Sequence, residues 1–405
     1  MRLAIVVPDG MADRPEDSPG APTPLEEAAT PFMDALAREG ILGRAVLVPR
    51  EVAPGSDAAN LAVLGLDPRA HRMGRAALEA AGRGIDLAED EVVFRMNLVT
   101  IRDGILVDYS GGGVSSDEAR RYVAAIGEAL AREGARIVQG VGYRHLLVLE
   151  DPAGATLNVA CRPPHDIQGR KVEEFLASGS GEGAGLVRRL QDAASAAVAR
   201  VAPAGARGPN AVWLWGQGRR VELPSLRERF GVRKAAVVGA VDLVRGVGRA
   251  MGMEAMDVPG ATGDLDTNYA GKGEAAARAL GDCELVLVHV EAPDEASHRG
   301  DRLAKLRAIE AVDREVVSRV WRRARELGRT RVLVVPDHLT PLSTRTHAHG
   351  AVPFALWGPG VEPSGSSGLS ERQAASSGVY VERGWELLGL ALADALSPWR
   401  TGGRS

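Results

Sequence analysis

Three short apolar runs in this chain end on the same polar punctuation. Residues 3–7 (LAIVV) run into Pro8-Asp9-Gly10, residues 285–290 (LVLVHV) into Glu291-Ala292-Pro293-Asp294, and residues 332–335 (VLVV) into Pro336-Asp337-His338. Such β-rich runs, bounded by Pro, Gly and Asp, read as buried strands. Helical patterns alternate with them. Thr30 and Pro31 open one that Gly40 stops, and Pro54-Gly55-Ser56-Asp57 leads into a second over AANLAVLGL. Leu303 to Leu327 reads as a long amphipathic helix, and residues 353–357 as one more strand. The alternation predicts an α/β fold whose largely parallel sheet lies between helices. Ligands bind at the carboxyl ends of such strands, where the polar residues gather here.

The texture changes from about residue 90 to 225. LVTIRDGILVDYS reads as a hairpin around Asp103-Gly104, HLLVLE as another strand, and SSDEARRYVAAIGEALAREG as a helix. This predicts an inserted, smaller α+β domain over 89–227, with the core domain made from 1–88 and 228–405. The Pro/Gly/Ala-rich stretch 201–210 is expected to lead back toward the core.

Composition narrows the class. A chain of 405 residues suggests about two or three domains. Lys and Arg number 49 against 53 Asp and Glu, a formal charge of -4, so no global basic field invites nucleic acid. No apolar run approaches the ~18 residues of a membrane span, and no signal peptide is expected in the opening MRLAIVVPDG, whose apolar run is short and lacks a small-residue cleavage site. Cys161 and Cys283 cannot make a disulfide framework and lack metal-type spacing. A cytoplasmic protein without membrane attachment is expected; oligomeric state is not legible.

The chemistry is expected at Asp9, Asp294, Asp337, His298, His338 and His347. Asp294 and His298 are four residues apart, one turn if their segment is helical. Any one of them alone would be a loop or capping residue. Together, in a chain with 8 His, they suit divalent ions that accept both imidazole and carboxylate. His349 is the decoy beside His347, and His71, His145 and His289 have no partner pattern. Ser56 stands at a helix N-terminus that favours an anion. Its segment does not match GxSxG, so metal activation is the natural route to a nucleophile; the bland alternative is a helix cap.

Several motifs together resemble one family. VVPDGMAD, TPLEEAATPFMDALAREG, APGSDAANLAVLGLDP, GRAALEAAGRGIDL, VVFRMNLVT, VPGATGDLDTNYAGK, EAPDEASHRGD and VVPDHLTP run nearly end to end. In this order they are similar to the archaeal-type cofactor-independent phosphoglycerate mutases of the alkaline phosphatase superfamily. The resemblance implies an alkaline-phosphatase-like core and two divalent metals, Mn first, with Zn, Co or Mg as alternatives, and no 2,3-bisphosphoglycerate. It implies one metal on Asp294, His298 and His347, and another on Asp9, Asp337, His338 and the Ser56 oxygen. It further implies that Ser56 carries the phosphoryl group between the two positions of phosphoglycerate, a step of glycolysis or gluconeogenesis. Arg75, Arg95, Arg144 and Arg245 are then candidates to hold the substrate, since their forks pair with carboxylate or phosphate; His165 and Asp166 join them. VDYSGGGVSSDEA and RPPHDIQG resemble a bacterial branch, some of whose members have been proposed to be homoserine kinases. That phosphotransferase, and a plain metal-dependent phosphatase, are the competing expectations.

Overall fold

The computed structural model describes residues 1–17, 19–71, 73–203 and 208–393. In chain order the strands are β1 (Arg2–Pro8), β2 (Ile41–Ala45), β3 (Glu91–Arg102), β4 (Ile105–Asp108), β5 (Ala135–Val138) and β6 (Arg144–Glu150). There follow β7 (Ala211–Gly218), β8 (Ala235–Val238), β9 (Glu254–Met256), β10 (Leu285–Val290), β11 (Thr330–Val334), β12 (Val352–Trp357) and β13 (Tyr380–Val381). The chain divides into two compact units, 1–72 with 223–405, and 73–222.

The first unit is built on an eight-stranded sheet in the order β13-β2-β12-β11-β1-β10-β8-β9. Only the two pairings made by β12, with β11 and with β2, are antiparallel. All of β10 and β11 is buried, as is β1 after its first residue. That burial is why these strands read as unbroken apolar runs rather than alternating ones. Each fully buried Val or Leu in them contributes about 1.5–3 kcal/mol, so apolar packing holds the sheet and polar residues are left to its ends.

Tertiary partners complete what local signals began. Thr30 precedes the helix Pro31–Glu39 but makes no side-chain cap. The Asp313 carboxylate caps it instead, accepting from Phe32 N at 3.2 Å and Met33 N at 2.7 Å. Asp313 lies in a π-helical turn, Val312–Val317, between the helices Arg302–Ala311 and Ser318–Leu327. The long helix expected over 303–327 is therefore present but widened in the middle. Gly40 ends its helix through close approach: a Cβ there would collide with the Leu356 carbonyl of β12.

The second unit is a five-stranded sheet, β4-β3-β6-β5, with β7 also paired to β3. Asp103 and Gly104 make the expected hairpin turn, both with positive φ (51° and 73°), as a two-residue loop requires. The helices Ser116–Leu130 and Gly183–Val201 cover an apolar cluster around Phe94, Leu147 and Leu214. Two expectations are corrected. Residues after 208 do not return to the first unit, because β7 pairs antiparallel with β3; 204–207 lie outside the described residues. The helix Arg75–Gly82 belongs with the second unit, since Ala76, Ala77 and Ala80 pack with Val93 and Val148. The division thus falls at 72/73 and 222/223, rather than at 88/89 and 227/228. Among the described residues no helix is long and apolar enough to cross a membrane, and both cysteines are free.

Candidate metal centre

Strands β11, β1 and β10 are neighbours and parallel, so their carboxyl ends share one edge. Asp9 directly follows β1, Asp337 lies just past β11, and Asp294 sits in the first turn of the helix Ala292–Arg299 after β10. The helix carries His298 round to Asp294, with Nε2 3.0 Å from Oδ2. His347 completes that set, its Nε2 3.0 Å from His298 Nε2 and 3.5 Å from Asp294 Oδ2. On the other side His338 Nε2 is 3.4 Å from Asp9 Oδ1 and 3.5 Å from Asp337 Oδ2. The Ser56 hydroxyl faces both, 3.5 Å from Asp9 Oδ2 and 3.3 Å from His338 Nε2. The His338 and His347 rings lie 4.2 Å apart, so the two sets adjoin. Ser56 is the first residue of the helix Ser56–Val63, whose cap position is Gly55. The serine is therefore free of the capping role and turned to the edge.

The charges show what this edge lacks. Burial raises the Asp9 carboxyl well above its ordinary pKa, and the nearby Asp337, Asp294 and Glu291 raise it further. Its Oδ1, though buried, has no hydrogen-bond donor. Burial also opposes ionisation of Asp337 and Asp294, but histidines prevail: His338 and His289 hold Asp337 low, and His298 and His347 hold Asp294 low. His298 is correspondingly pushed up to about 9, chiefly by its hydrogen bond to Asp294. Crowded carboxylates with an unsatisfied buried oxygen fit a divalent cation, which relieves like-charge repulsion that hydrogen bonds cannot. Among the described residues three groupings have donor atoms close enough to hold one: Asp294 with His298 and His347; Asp9 with Asp294 and His338; and Asp9 with His289 and Asp337.

His289, set aside in the sequence, thus lies at the site. It is fully buried inside β10, with Nε2 3.5 Å from Asp9 Oδ2 and 3.9 Å from Asp337 Oδ2. Glu291 stands 3.3 Å from its Nδ1 and is itself paired with buried Lys272 at 2.6 Å. Asn60 donates to Asp337 Oδ2 at 3.3 Å and to the Ser56 carbonyl at 2.8 Å, fixing the serine against the edge. The signal for His289 was present, as a lone polar residue in an otherwise apolar strand. Asn60 and Lys272 gave none.

In the second unit, taken by itself, aromatic faces gather cations. Arg95 is buried over the Trp215 ring at 4.3 Å and paired with Glu79 at 3.1 Å. Arg75 approaches the same ring at 5.9 Å, and Arg144 lies over Tyr143 at 5.3 Å. Burial lowers Arg95 to about 10, and the charges of Arg75 and Arg144 lower it too. His165 joins at 5.4 Å from Trp215, with Asp166 3.6 Å from its Nε2. Tyr109 bridges His165 and Tyr143. So Arg75, Arg95, Arg144, His165 and Asp166 are brought together. Trp215, Tyr109 and Tyr143, which hold them, carried no sequence signal.

A family model described as 2,3-bisphosphoglycerate-independent phosphoglycerate mutase matches residues 37–201. A mutase of that name from Methanothrix thermoacetophila is 42% identical over 402 residues, 97% of this chain and 100% of the relative. A probable one from Geobacter sulfurreducens is also 42% identical, over 97% of this chain and 100% of its own. The chain belongs to the 2,3-bisphosphoglycerate-independent phosphoglycerate mutase family. A solved Pyrococcus horikoshii protein is similar, with TM-score 0.81, 28% identity and 96% of each chain covered. The cofactor-independent phosphoglycerate mutase of Thermoplasma acidophilum shares the fold at TM-score 0.65 and 24% identity, covering 96% of this chain and 99% of its own.

In this family member, one nominated residue, Arg245, and the decoy His349 stand apart from these groups. Arg245 lies in the first unit, where Asp257 at 2.7 Å and the Met256 carbonyl at 3.1 Å already occupy its guanidinium. It is engaged as a clip between the helix Asp242–Ala250 and the end of β9. His349 joins none of the metal-capable groupings among the described residues. Ala348 N bonds to Leu339 O, which sets His347 and His349 on either side of that contact.

Proposed function

We propose that this protein interconverts 3-phosphoglycerate and 2-phosphoglycerate through a phosphoserine at Ser56, independently of 2,3-bisphosphoglycerate. One divalent metal would sit on Asp294, His298 and His347, and a second on Asp9, Asp337, His338 and Ser56; Mn is the first choice, with Zn, Co or Mg next. Bound there, such ions lower the pKa of a hydroxyl and offset charge on a transferring phosphoryl group. The residues do the rest. Asn60 and the helix N-terminus aim Ser56, and its hydroxyl proton is released to solvent as the Oγ–P bond forms. The bond from phosphorus to the glycerate oxygen breaks, and that oxygen takes a proton. Return of the phosphoryl group to the other hydroxyl completes the isomerisation.

Retaining the glycerate meanwhile is the role we assign to Arg75, Arg95 and Arg144 with His165 and Asp166. Trp215, under Arg75 and Arg95, and Tyr143, under Arg144, keep these guanidinium groups gathered where each would otherwise be solvated separately. The substrate is then a small phosphorylated acid, and the setting cytoplasmic glycolysis or gluconeogenesis. The observation that carries the reading is the Ser56 hydroxyl held between Asp9 and His338 at the edge of crowded carboxylates. Phosphorus NMR of the Mn-supplemented protein tests it. Conversion of 3-phosphoglycerate, lost on EDTA treatment and in Ser56→Ala, is expected. Phosphorylation of homoserine by ATP without that conversion would contradict it.

A further inference from the structure

Thr340 lies two residues beyond His338, is fully buried, and touches both ligand sets. Its backbone is clamped from either side: its N–H donates to the Ala12 carbonyl at 3.1 Å, and its carbonyl accepts from Lys305 Nζ at 3.0 Å. The hydroxyl therefore has a fixed position. Oγ1 is 2.6 Å from Asp294 Oδ1 and 3.1 Å from His338 Nδ1. Gly10, at φ 58°, closes the space beside this pair. A Cβ there would collide with both the Asp294 carboxylate and the Thr340 hydroxyl.

Donor counting decides the direction of each bond. A threonine hydroxyl carries one proton, and an ionised carboxylate carries none. The short contact to Asp294 must use the threonine proton, so toward His338 the hydroxyl can only accept. Nδ1 of His338 then bears the hydrogen, and in a neutral imidazole Nε2 bears the lone pair. That is the nitrogen facing Ser56 Oγ at 3.3 Å and Asp9 Oδ1 at 3.4 Å.

We infer that Thr340 is a positioning residue for the reaction: its single hydroxyl ties Asp294 of one ligand set to the imidazole of His338 in the other, and fixes the tautomer that presents Nε2 to Ser56. The inference rests on the reading of this edge as the metal-holding catalytic site. Partners that orient a ligating histidine through its other nitrogen characteristically cost about 10–100-fold in metal affinity or activity when removed. The two ligand sets are then fitted to each other before any substrate arrives.

Thr340→Val removes the hydroxyl at nearly constant shape, and Thr340→Ser keeps it. Nitrogen-15 NMR of histidine-labelled, full-length, metal-free protein, at a pH where imidazole is neutral, reads the His338 tautomer; a His338→Gln spectrum assigns it. Wild type and Thr340→Ser are expected to show Nδ1–H, and Thr340→Val a shift toward Nε2–H. With Mn restored, Thr340→Val is expected to lose about 10–100-fold in kcat or in Mn affinity by calorimetry. Its KM for 3-phosphoglycerate should hold, and Thr340→Ser should recover most of the loss. An Nε2–H tautomer in the wild type overturns the inference whether or not the valine variant folds. So does a serine variant as impaired as the valine one. Because the tautomer is read without metal or substrate, a failure of the phosphoglycerate reading would leave that result standing and would be recognised separately.

Discussion

The strand edge of the first unit and the aromatic cluster of the second solve opposite electrostatic problems by opposite means. At the edge, Asp9, Asp294 and Asp337 are buried and crowded carboxyls; imidazoles and hydrogen bonds hold Asp294 and Asp337 low, while Asp9 is raised and its Oδ1 lacks a donor. In the cluster, Arg75, Arg95 and Arg144 are positive and lie against ring faces, with Glu79 pairing Arg95. A carboxylate edge with many fixed contacts suits an ion of set coordination geometry. Guanidinium groups lying on flat rings can turn toward an anion whose shape changes during a reaction. On the proposed function, the difference teaches that rigidity is built where a small ion would bind and adaptability where a substrate would be re-presented.

The largest expected effect separates two residues of the edge. His347→Ala should lose one metal and nearly all turnover, more than the roughly 10–100-fold that an outer partner costs. His349→Ala should keep both metals. Metal analysis of the two purified variants checks this, and loss of metal from His349→Ala alone would break the assignment.

How much of this was legible follows the same division. Asp9, Asp294 and Asp337 could be read because a strand that ends in Asp after an apolar run is visible in one dimension. His298 followed from helical spacing. His347 was named with the others from the residues, but its choice over the adjacent His349 leaned on the family resemblance, since nothing local separates the two. Thr340 and Asn60 were hidden because their bonds to Asp294 and Asp337 span 46 and 277 residues, whereas His289 did leave a signal, as a lone polar residue in an apolar strand. The cluster was less legible still. Arginine forks were named, but Trp215 and Tyr143, which gather them, look like ordinary core residues. The Asp257 that pairs with Arg245 cannot be seen from the LVRGVG segment. Sheet pairing, not linker composition, governs the path after residue 208.

A middle-sized effect is expected in the second unit. Arg144→Ala should lower kcat/KM by about 10–150-fold, the worth of a charged hydrogen bond. Trp215→Leu should raise KM by about 2–30-fold through lost cation–π support, with metal content unchanged. A Trp215→Leu protein that loses metal would erase the distinction between the regions. The smallest effect is the pH dependence. With His298 raised to about 9 in the metal-free protein, its imidazole is charged at neutral pH and must release a proton to bind metal. Mn affinity should therefore rise with pH up to about 9 and level off. Arg95, at about 10, keeps its charge through this range, so KM for the saturated metalloenzyme should stay flat. Calorimetry in buffers of different ionisation enthalpy, beside steady-state kinetics, separates the two trends.

Trapping the intermediate tests the central claim most directly. Mn-loaded protein is mixed briefly with 2-phosphoglycerate, quenched in acid, and digested for peptide mass spectrometry. One phosphoryl group on Ser56, absent after EDTA treatment, is the predicted result; a phosphoryl group on another residue, or undiminished turnover by Ser56→Ala, would contradict the account.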